Sequence, residues 1–193
     1  LSVMKFIWIL SIQDINIFLF IMLILLLVIF SIICSAPSKT FNLAALQTSN
    51  IIIKNKDMRE KFQDEKMLLV LSDPNYFGLE ACEAAYTFGA KWVDELLVYL
   101  ADNIQYMKDF FKERLPQLKV ISPEGLYLVW VDMRSLGLNK DELETLMLEK
   151  AHLWLDEGYI FGTGGDGFER FNVACPRSVL KQALEQLEKA IKE

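Results

Sequence analysis

The hydrophobic pattern divides the chain into two unlike parts near residue 34. From Ile15 to Ile33 no side chain is charged, and only Asn16 and Ser31 are polar. A run of that length is about what a membrane-spanning helix needs, since ~20 apolar residues cross a bilayer. After Ser35 the pattern changes to the periodicities of helices and strands in an ordinary globular domain. The pattern predicts an apolar leader followed by a folded domain.

The periodicities after residue 30 predict alternating strands and helices. Predicted helices cover residues 55–68, 78–116, 139–151 and 177–193. The second of these is long, bends near Gly89 and ends at Pro116, and the third begins at Asn139 as its cap. Predicted strands cover residues 31–36, 118–121, 126–133, 158–162 and 168–175. A turn-like segment separates the second from the third, and a glycine-rich loop separates the fourth from the fifth. Such alternation indicates an α/β or α+β fold.

Composition narrows the possible functions. A net charge of −6 argues against a nucleic-acid partner and against a basic membrane-surface patch. Cys34, Cys82 and Cys175 are widely spaced, which favours reduced thiols in the cytoplasm over a disulfide framework and provides no metal-site spacing. His152 is the only histidine, so a histidine-based catalytic triad would have to use it. Its neighbours are typical of a helix end, and no nucleophile-elbow motif accompanies it.

The sequence "SIICSAPSK" places Lys39 after a predicted buried strand and a turn of small residues. Three interpretations remain open for this lysine: a solvated cation, a positive flank of a membrane helix, or a nucleophile. A nucleophilic lysine needs a neutral amine that is accessible to its reaction partner. Small neighbours would allow a bulky cofactor to approach the backbone there.

The sequence "GTGGDGFERFNVACPR" places an arginine on a strand that follows a glycine-rich loop. Alternation predicts Arg170, Asn172 and Ala174 on one face of this strand, with Phe171 and Val173 on the other. An arginine on a half-buried strand needs an anion. A planar guanidinium suits a ligand carboxylate in a bidentate arrangement, and the alternative is a structural salt bridge to a local Glu or Asp.

Four stretches carry a family resemblance: "APSKTFNLAALQTSN", "NYFGLEACEAAY", "EGLYLVWVD" and "GDGFERFNVACPRSVLKQAL". Together they resemble the C-terminal half of a pyridoxal-phosphate enzyme of the cystathionine β-lyase-like (MalY/PatB-type) branch of the class I/II aminotransferase fold. The resemblance implies that Lys39 is the lysine that bonds to the cofactor aldehyde and that Arg170 holds the substrate's α-carboxylate. It also implies a phosphate contact for Ser38.

The resemblance carries further expectations about the whole protein. The fold would be a fragment of a fold-type-I transferase, with the end of the large cofactor domain over residues 31–75. An interdomain helix and the small C-terminal domain would occupy residues 76–193. The implied reaction is β-elimination from a sulfur amino acid to pyruvate, ammonia and a thiol, in a homodimer when the protein is intact. The open alternatives are an aminotransferase of the same fold and a membrane-anchored, non-catalytic module.

The chain departs from the wider fold at two positions after the lysine. Gln47 stands where many relatives have an arginine near the cofactor phosphate, and glutamine is what the lyase-like branch leads us to expect. Ala45 stands where a glycine is usual, so its methyl group is expected to crowd the backbone close to the cofactor.

The apolar leader, residues 1 to about 30, does not fit this fold, which needs other strands and a "SDEIH"-like segment upstream of the lysine. A shift by one reading frame restores such residues. In the shifted frame each codon consists of the third base of one codon and the first two bases of the next. Met and Trp have one codon each, so Met4 followed by Lys5 must give a glutamate and Trp8 followed by Ile9 must give an aspartate. We therefore interpret the leader as an out-of-frame translation of a fragmentary gene product. A genuine membrane span over residues 15–33, which would place the protein at a membrane, or another fusion or buried hairpin remain the alternatives.

Overall fold

The computed structural model describes residues 29–71 and 74–193. The three interpretations of the apolar leader therefore fall almost entirely outside the described residues. In the described ranges, no helix has both the length and the hydropathy to cross a bilayer. The chain divides into two compact units between Asp94 and Glu95, and each unit has its own architecture.

The described elements confirm the mixed α/β class. The strands are β1 Ile32–Ser35, β2 Asn50–Ile53, β3 Lys119–Val120, β4 Leu128–Asp132, β5 Asp156–Glu157 and β6 Phe168–Asn172. The helices are α1 Lys56–Leu68, α2 Tyr76–Phe88, α3 Ala90–Arg114, α4 Lys140–Thr145 and α5 Arg177–Lys192. Short 3₁₀ turns cover Ala44–Leu46, Arg134–Leu136, Gly158–Phe161 and Thr163–Gly165, and a π-helical turn covers Leu146–Lys150.

In the first unit, β1 and β2 form a two-stranded antiparallel sheet. The sheet brings together the two ends of residues 36–49, called the lysine segment because it contains Lys39. Ser35 lies opposite Asn50 in the register. The prediction of a buried strand at residues 31–36 is wrong, because Ile32 and Ile33 are 45% and 39% exposed. The strand forms as predicted, but the two strands bury only Ile53.

The long helix predicted over residues 78–116 is two helices that meet at Gly89. Gly89 ends α2, with its N–H donating to the Ala85 carbonyl, and α3 begins at the next residue. A Cβ at Gly89 would lie 2.4 Å from the Phe41 ring, so the glycine leaves room for that ring. Asn75 caps α2 by accepting a hydrogen bond from the Gly78 N–H at 2.7 Å, which begins the helix earlier than predicted.

In the second unit, four antiparallel strands pair in the order β3-β4-β6-β5. The strands predicted at residues 118–121, 126–133 and 168–175 are confirmed, whereas the one at 158–162 is wrong. That segment is a 3₁₀ turn, and the edge strand β5 precedes it. Close packing explains the turn, since a Cβ at Gly158 would lie 2.0 Å from the Gly165 carbonyl oxygen.

One face of this sheet carries the core of the second unit. Alternate residues of β4 and β6 are buried, as the pattern on β6 predicts. The helices α3 and α5 contribute the remaining large apolar side chains. The cluster includes Met107, Phe111, Leu115, Val129, Val131, Phe171, Val173, Leu180, Leu184 and Leu187. The opposite face of the sheet is left for polar and aromatic residues.

Glu169 is a carboxylic acid on the buried face of β6. It is 1% exposed, and its Oε2 atom has no hydrogen-bond partner among the described residues. Burial and, to a smaller extent, the nearby charges of Glu157, Glu144 and Asp156 together raise the pKa of Glu169 to about 8. The folded state therefore holds a proton on Glu169 that the unfolded chain releases near its ordinary pKa of 4.5.

Glu169→Gln is expected to remove a pH dependence from folding stability. The stability tied to this proton is fully present below pH 4.5 and is lost as the pH rises to about 8. Glutamine stays neutral at every pH. The free energy of unfolding of the variant, relative to that of the native chain, should therefore rise by on the order of a few kcal/mol between pH 5 and 8. Urea unfolding across that range measures the difference. The matched control is Glu149→Gln at an exposed position; a pH-independent difference for Glu169→Gln would contradict the buried-proton interpretation.

Candidate functional site

Lys39 lies in a turn four residues beyond the end of β1. The Phe41 N–H donates to the Pro37 carbonyl at 2.9 Å, and the Leu43 N–H donates to the Ser38 carbonyl at 3.0 Å. These bonds confirm the predicted turn and fix the backbone on both sides of the lysine. The Lys39 side chain is exposed and makes no hydrogen bond or ion pair with any described residue. Its amine is therefore available to a reaction partner.

Aromatic packing holds the turn against the helices of the first unit. The Phe41 ring lies edge-on to Tyr86 with centroids 5.5 Å apart, and it stacks on Trp92 at 6.2 Å. Such pairs contribute ~1 kcal/mol each beyond the area they bury. Phe41 is two residues from Lys39, so this packing limits how far the lysine backbone can move.

The far end of the lysine segment is anchored to the start of α2. The Asn75 Nδ2 donates to the Leu46 carbonyl at 2.8 Å, while the Oδ1 atom of the same side chain caps the helix at the Gly78 N–H. Thr48 is buried and donates to the Leu46 carbonyl at 3.1 Å. A Cβ at Gly78 would lie 2.1 Å from Thr48 Oγ1. Glycine is therefore required for this close approach.

The two departures from the wider fold lie in this anchored segment. Ala45 is in the 3₁₀ turn, exposed, and its φ is not among the positive values of the described residues. Gln47 ends the turn in the left-handed region at φ 49° and donates its N–H to the Ala44 carbonyl. The backbone thus accommodates both residues through the local hydrogen bonds of the turn.

Arg170 occupies the outward face of β6 in the second unit, as the alternation predicts. It lies opposite Trp130 on β4 and opposite Asp156 on β5. Its Nε atom donates to Asp156 Oδ2 at 3.1 Å, and its Nη2 atom makes a second, shorter bond to the same oxygen. The guanidinium carbon lies 4.4 Å from the centroid of the Phe161 ring. The salt bridge to a local acid, one of the two alternatives from the sequence, is present.

An open concavity of about 570 Å³ is lined by Trp130 and Phe161, the two aromatic neighbours of Arg170, although not by Arg170 or Asp156. Its walls are aromatic side chains and the glycine-rich loop, with lining residues Ile121, Trp130, Phe161, Gly162, Thr163, Gly164, Gly165 and Phe168. Trp130 contacts Phe161 and Phe168 edge-on, with centroids 5.3 and 6.3 Å away. The aromatic walls would suit an apolar ligand side chain, and the Arg170 guanidinium over the Phe161 ring would suit a ligand carboxylate.

The structure places the predicted site residues in both units. Ser38 and Lys39 adjoin one another in the first unit, and Arg170 belongs to the second. His152 is exposed and makes no hydrogen bond or ion pair with a described residue. Asp156 and Phe161, the two partners of Arg170, were missed in the sequence. The only signal in the sequence was the pair of acids, Asp156 and Glu157, just before "GYIFG". The strand predicted for those letters did not indicate that Asp156 would lie opposite Arg170.

No family model matches the chain, but individual relatives and solved structures do. The chain is 39% identical over 161 residues to cystathionine β-lyase PatB of Bacillus subtilis, covering 83% of this chain and 42% of that protein. It is 36% identical to protein MalY of Escherichia coli, covering 82% and 41%. The structure of cystalysin from Treponema denticola, which contains pyridoxal 5′-phosphate, superposes with a TM-score of 0.83 at 43% identity, covering 86% and 42%. The chain therefore spans about two fifths of the length of these relatives.

Gly78→Ala is expected to destabilise the anchored end of the lysine segment. The new methyl group would force Thr48 and the Leu46 carbonyl away, and overpacking of this kind costs about 1–3 kcal/mol. That cost outweighs the helix propensity gained, ~1 kcal/mol. Faster amide exchange over residues 44–50, together with a lower urea midpoint, would report the loss.

Gly125→Ala is the control for that substitution, because a Cβ there meets nothing within 4 Å. Equal exchange rates in both alanine variants would contradict the anchoring of the segment at Gly78.

Proposed function

Because the chain is homologous to the C-terminal part of the cystathionine β-lyase-like proteins of the class I/II aminotransferase fold, we propose that the intact protein is a pyridoxal-phosphate-dependent carbon–sulfur β-lyase. The substrate class is a sulfur amino acid with a thiol leaving group on its β-carbon. The observation that carries the proposal is Lys39, an exposed amine without a partner among the described residues, on a turn whose backbone and aromatic neighbour are fixed.

The residues of the lysine turn fit the cofactor that this family implies. An aldehyde can reach the Lys39 amine, because the amine is exposed and its neighbours Ala36, Pro37 and Ser38 are small. Lys39 would hold the cofactor covalently, and the half-buried Ser38 hydroxyl would contact its phosphate. When bound, pyridoxal phosphate supplies the electron sink that makes the substrate's α-proton acidic.

The chain's own residues then have separate tasks. Arg170 binds the α-carboxylate with its charged, planar donor group and so orients the α-carbon. With the cofactor and substrate bound, Lys39 Nζ would be the base that accepts the substrate's α-proton. The carbon–sulfur bond at the β-carbon breaks, the thiolate leaves with the electron pair, and hydrolysis yields pyruvate and ammonia.

A chain of this length is proposed to be an incomplete enzyme. The resemblance places a ring-stacking aromatic residue and an aspartate partner for the pyridine nitrogen upstream of the lysine, and residues 1–30 contain no such segment in their present frame. We expect the 193-residue chain to bind the cofactor poorly and to have little lyase activity. We expect the intact protein to be a homodimer. The three free cysteines are consistent with a cytoplasmic location.

An aminotransferase remains the second candidate, because Arg170 would bind the α-carboxylate in either reaction. The two reactions differ in their products. An aminotransferase would give a keto acid that keeps the substrate's side chain, whereas a lyase would expel the thiolate and give pyruvate. Product analysis therefore separates the candidates.

The test begins with the gene, including the DNA upstream of codon 1, expressed as one continuous reading frame after a one-base correction near codon 30. If the leader is out of frame, the corrected protein should produce pyruvate, ammonia and methanethiol from S-methylcysteine. Lys39→Ala should lower kcat by at least ~10³-fold, since the nucleophile and the base are lost together.

Lys54→Ala is the matched control, because Lys54 is another exposed lysine of the same unit and should be dispensable. Codons incompatible with the alternative frame would end the frame hypothesis. A keto acid that retains the sulfur would establish the aminotransferase instead. Equal activity of the two alanine variants would contradict the role of Lys39.

A further inference from the structure

The guanidinium of Arg170 is held by a residue whose position is itself tightly determined. Asp156 belongs to the two-residue edge strand β5 and lies directly opposite Arg170 in the antiparallel register. The next residues turn at once, and Gly158 packs so closely on Gly165 that no Cβ fits between them. This turn also brings the Phe161 ring to 4.4 Å from the guanidinium carbon. Both partners of Arg170 thus come from one short, closely packed segment.

The hydrogen bonds use only one edge of the guanidinium. A guanidinium has five N–H donors, arranged as a side edge (Nε and Nη2) and an end edge (Nη1 and Nη2). Asp156 Oδ2 accepts from Nε and from Nη2, which occupies the side edge. Nη1 makes no hydrogen bond with any described residue. The end edge keeps two N–H donors, one on each terminal nitrogen, and these are enough for a second carboxylate to bind in a bidentate arrangement.

We propose that Asp156 is a positioning residue that orients Arg170 so that the Nη1–Nη2 edge receives the substrate's α-carboxylate. The proposal rests on the proposed function only for the identity of the carboxylate. Asp156 restricts rotation of the guanidinium within its plane, and Phe161 covers one face of that plane. The long arginine side chain is therefore ordered before the ligand arrives, so binding does not have to supply that ordering.

A charge-neutralising role for Asp156 predicts the opposite change in carboxylate affinity. If Asp156 merely neutralises Arg170, it competes with the ligand for the guanidinium, and its removal should tighten carboxylate binding. If Asp156 orients Arg170, its removal should weaken binding even though a negative charge has been taken away. The sign of the change in affinity therefore distinguishes positioning from charge neutralisation.

The experiment uses the 193-residue chain and observes the Arg170 Nε–H signal by NMR, assigned by its loss in Arg170→Lys. In the native chain this proton should exchange slowly with water, and rotation about the Nε–Cζ bond should be hindered. Asp156→Ala should abolish both properties. Asp156→Asn retains one acceptor oxygen and should preserve them in part, and it serves as the second variant if the alanine variant folds poorly.

The ligand probe is 3-(methylthio)propanoate, a thioether carboxylate that needs no cofactor to bind. Its affinity, followed at the same signal at constant ionic strength, should be about five-fold weaker in Asp156→Ala, the cost of ordering one long side chain. Asp166→Ala removes the same charge from the exposed glycine-rich loop and should leave the affinity unchanged.

Each outcome has one meaning. An Arg170 signal that is identical in the native chain and in Asp156→Ala, or a probe that binds the variant as tightly or more tightly, overturns the positioning role. A native Arg170 signal that depends on Asp156 but does not respond to the probe supports positioning and contradicts carboxylate binding by Arg170, which is the failure of the proposed function rather than of this inference.

Discussion

The two-residue repeat of β6 is the constraint on which the second unit depends. Because β6 pairs on both sides and covers a core with one face, its residues must alternate between that core and the outward face. Phe171 and, just after the strand, Val173 occupy the inward positions with apolar side chains. Glu169 occupies an inward position as a buried acid that keeps its proton. The same repeat sends Arg170 to the outward face, where its charge needs an anion. The core and the candidate ligand site are thus two faces of one alternation, and the register cannot slip without exchanging them.

The first unit positions its candidate residue by different means. The strand before Lys39 is exposed, so burial does not fix the lysine. The turn is instead held by its own backbone hydrogen bonds, by stacking of Phe41, and by the contact of Thr48 with the start of α2 at Gly78. Each unit therefore holds its candidate residue, Lys39 in the first and Arg170 in the second, through its own local contacts.

Sequence reasoning succeeded where one periodicity governed a whole element. The amphipathic repeat of residues 177–193, the cap at Asn139 and the alternation on β6 were all predictable, because local preference and tertiary packing agree there. It failed at Gly158, where a contact with the Gly165 backbone overrides the strand-like letters "GYIFG". It also failed on the burial of β1, since exposure depends on which layer covers a strand and not on the strand itself. Asp156 could not be assigned to Arg170 without the register of β5, which two residues do not specify in a sequence.

The proposed function depends on the covalent chemistry of a single amine, Lys39 Nζ. The most direct measurement is borohydride reduction of the frame-corrected protein in the presence of pyridoxal phosphate, followed by peptide mapping of the attached group by mass spectrometry. The tag should be found on Lys39, and Lys54, which is also exposed in the same unit, should stay unmodified. A tag distributed over exposed lysines in general, or one located on a different single lysine, would contradict it.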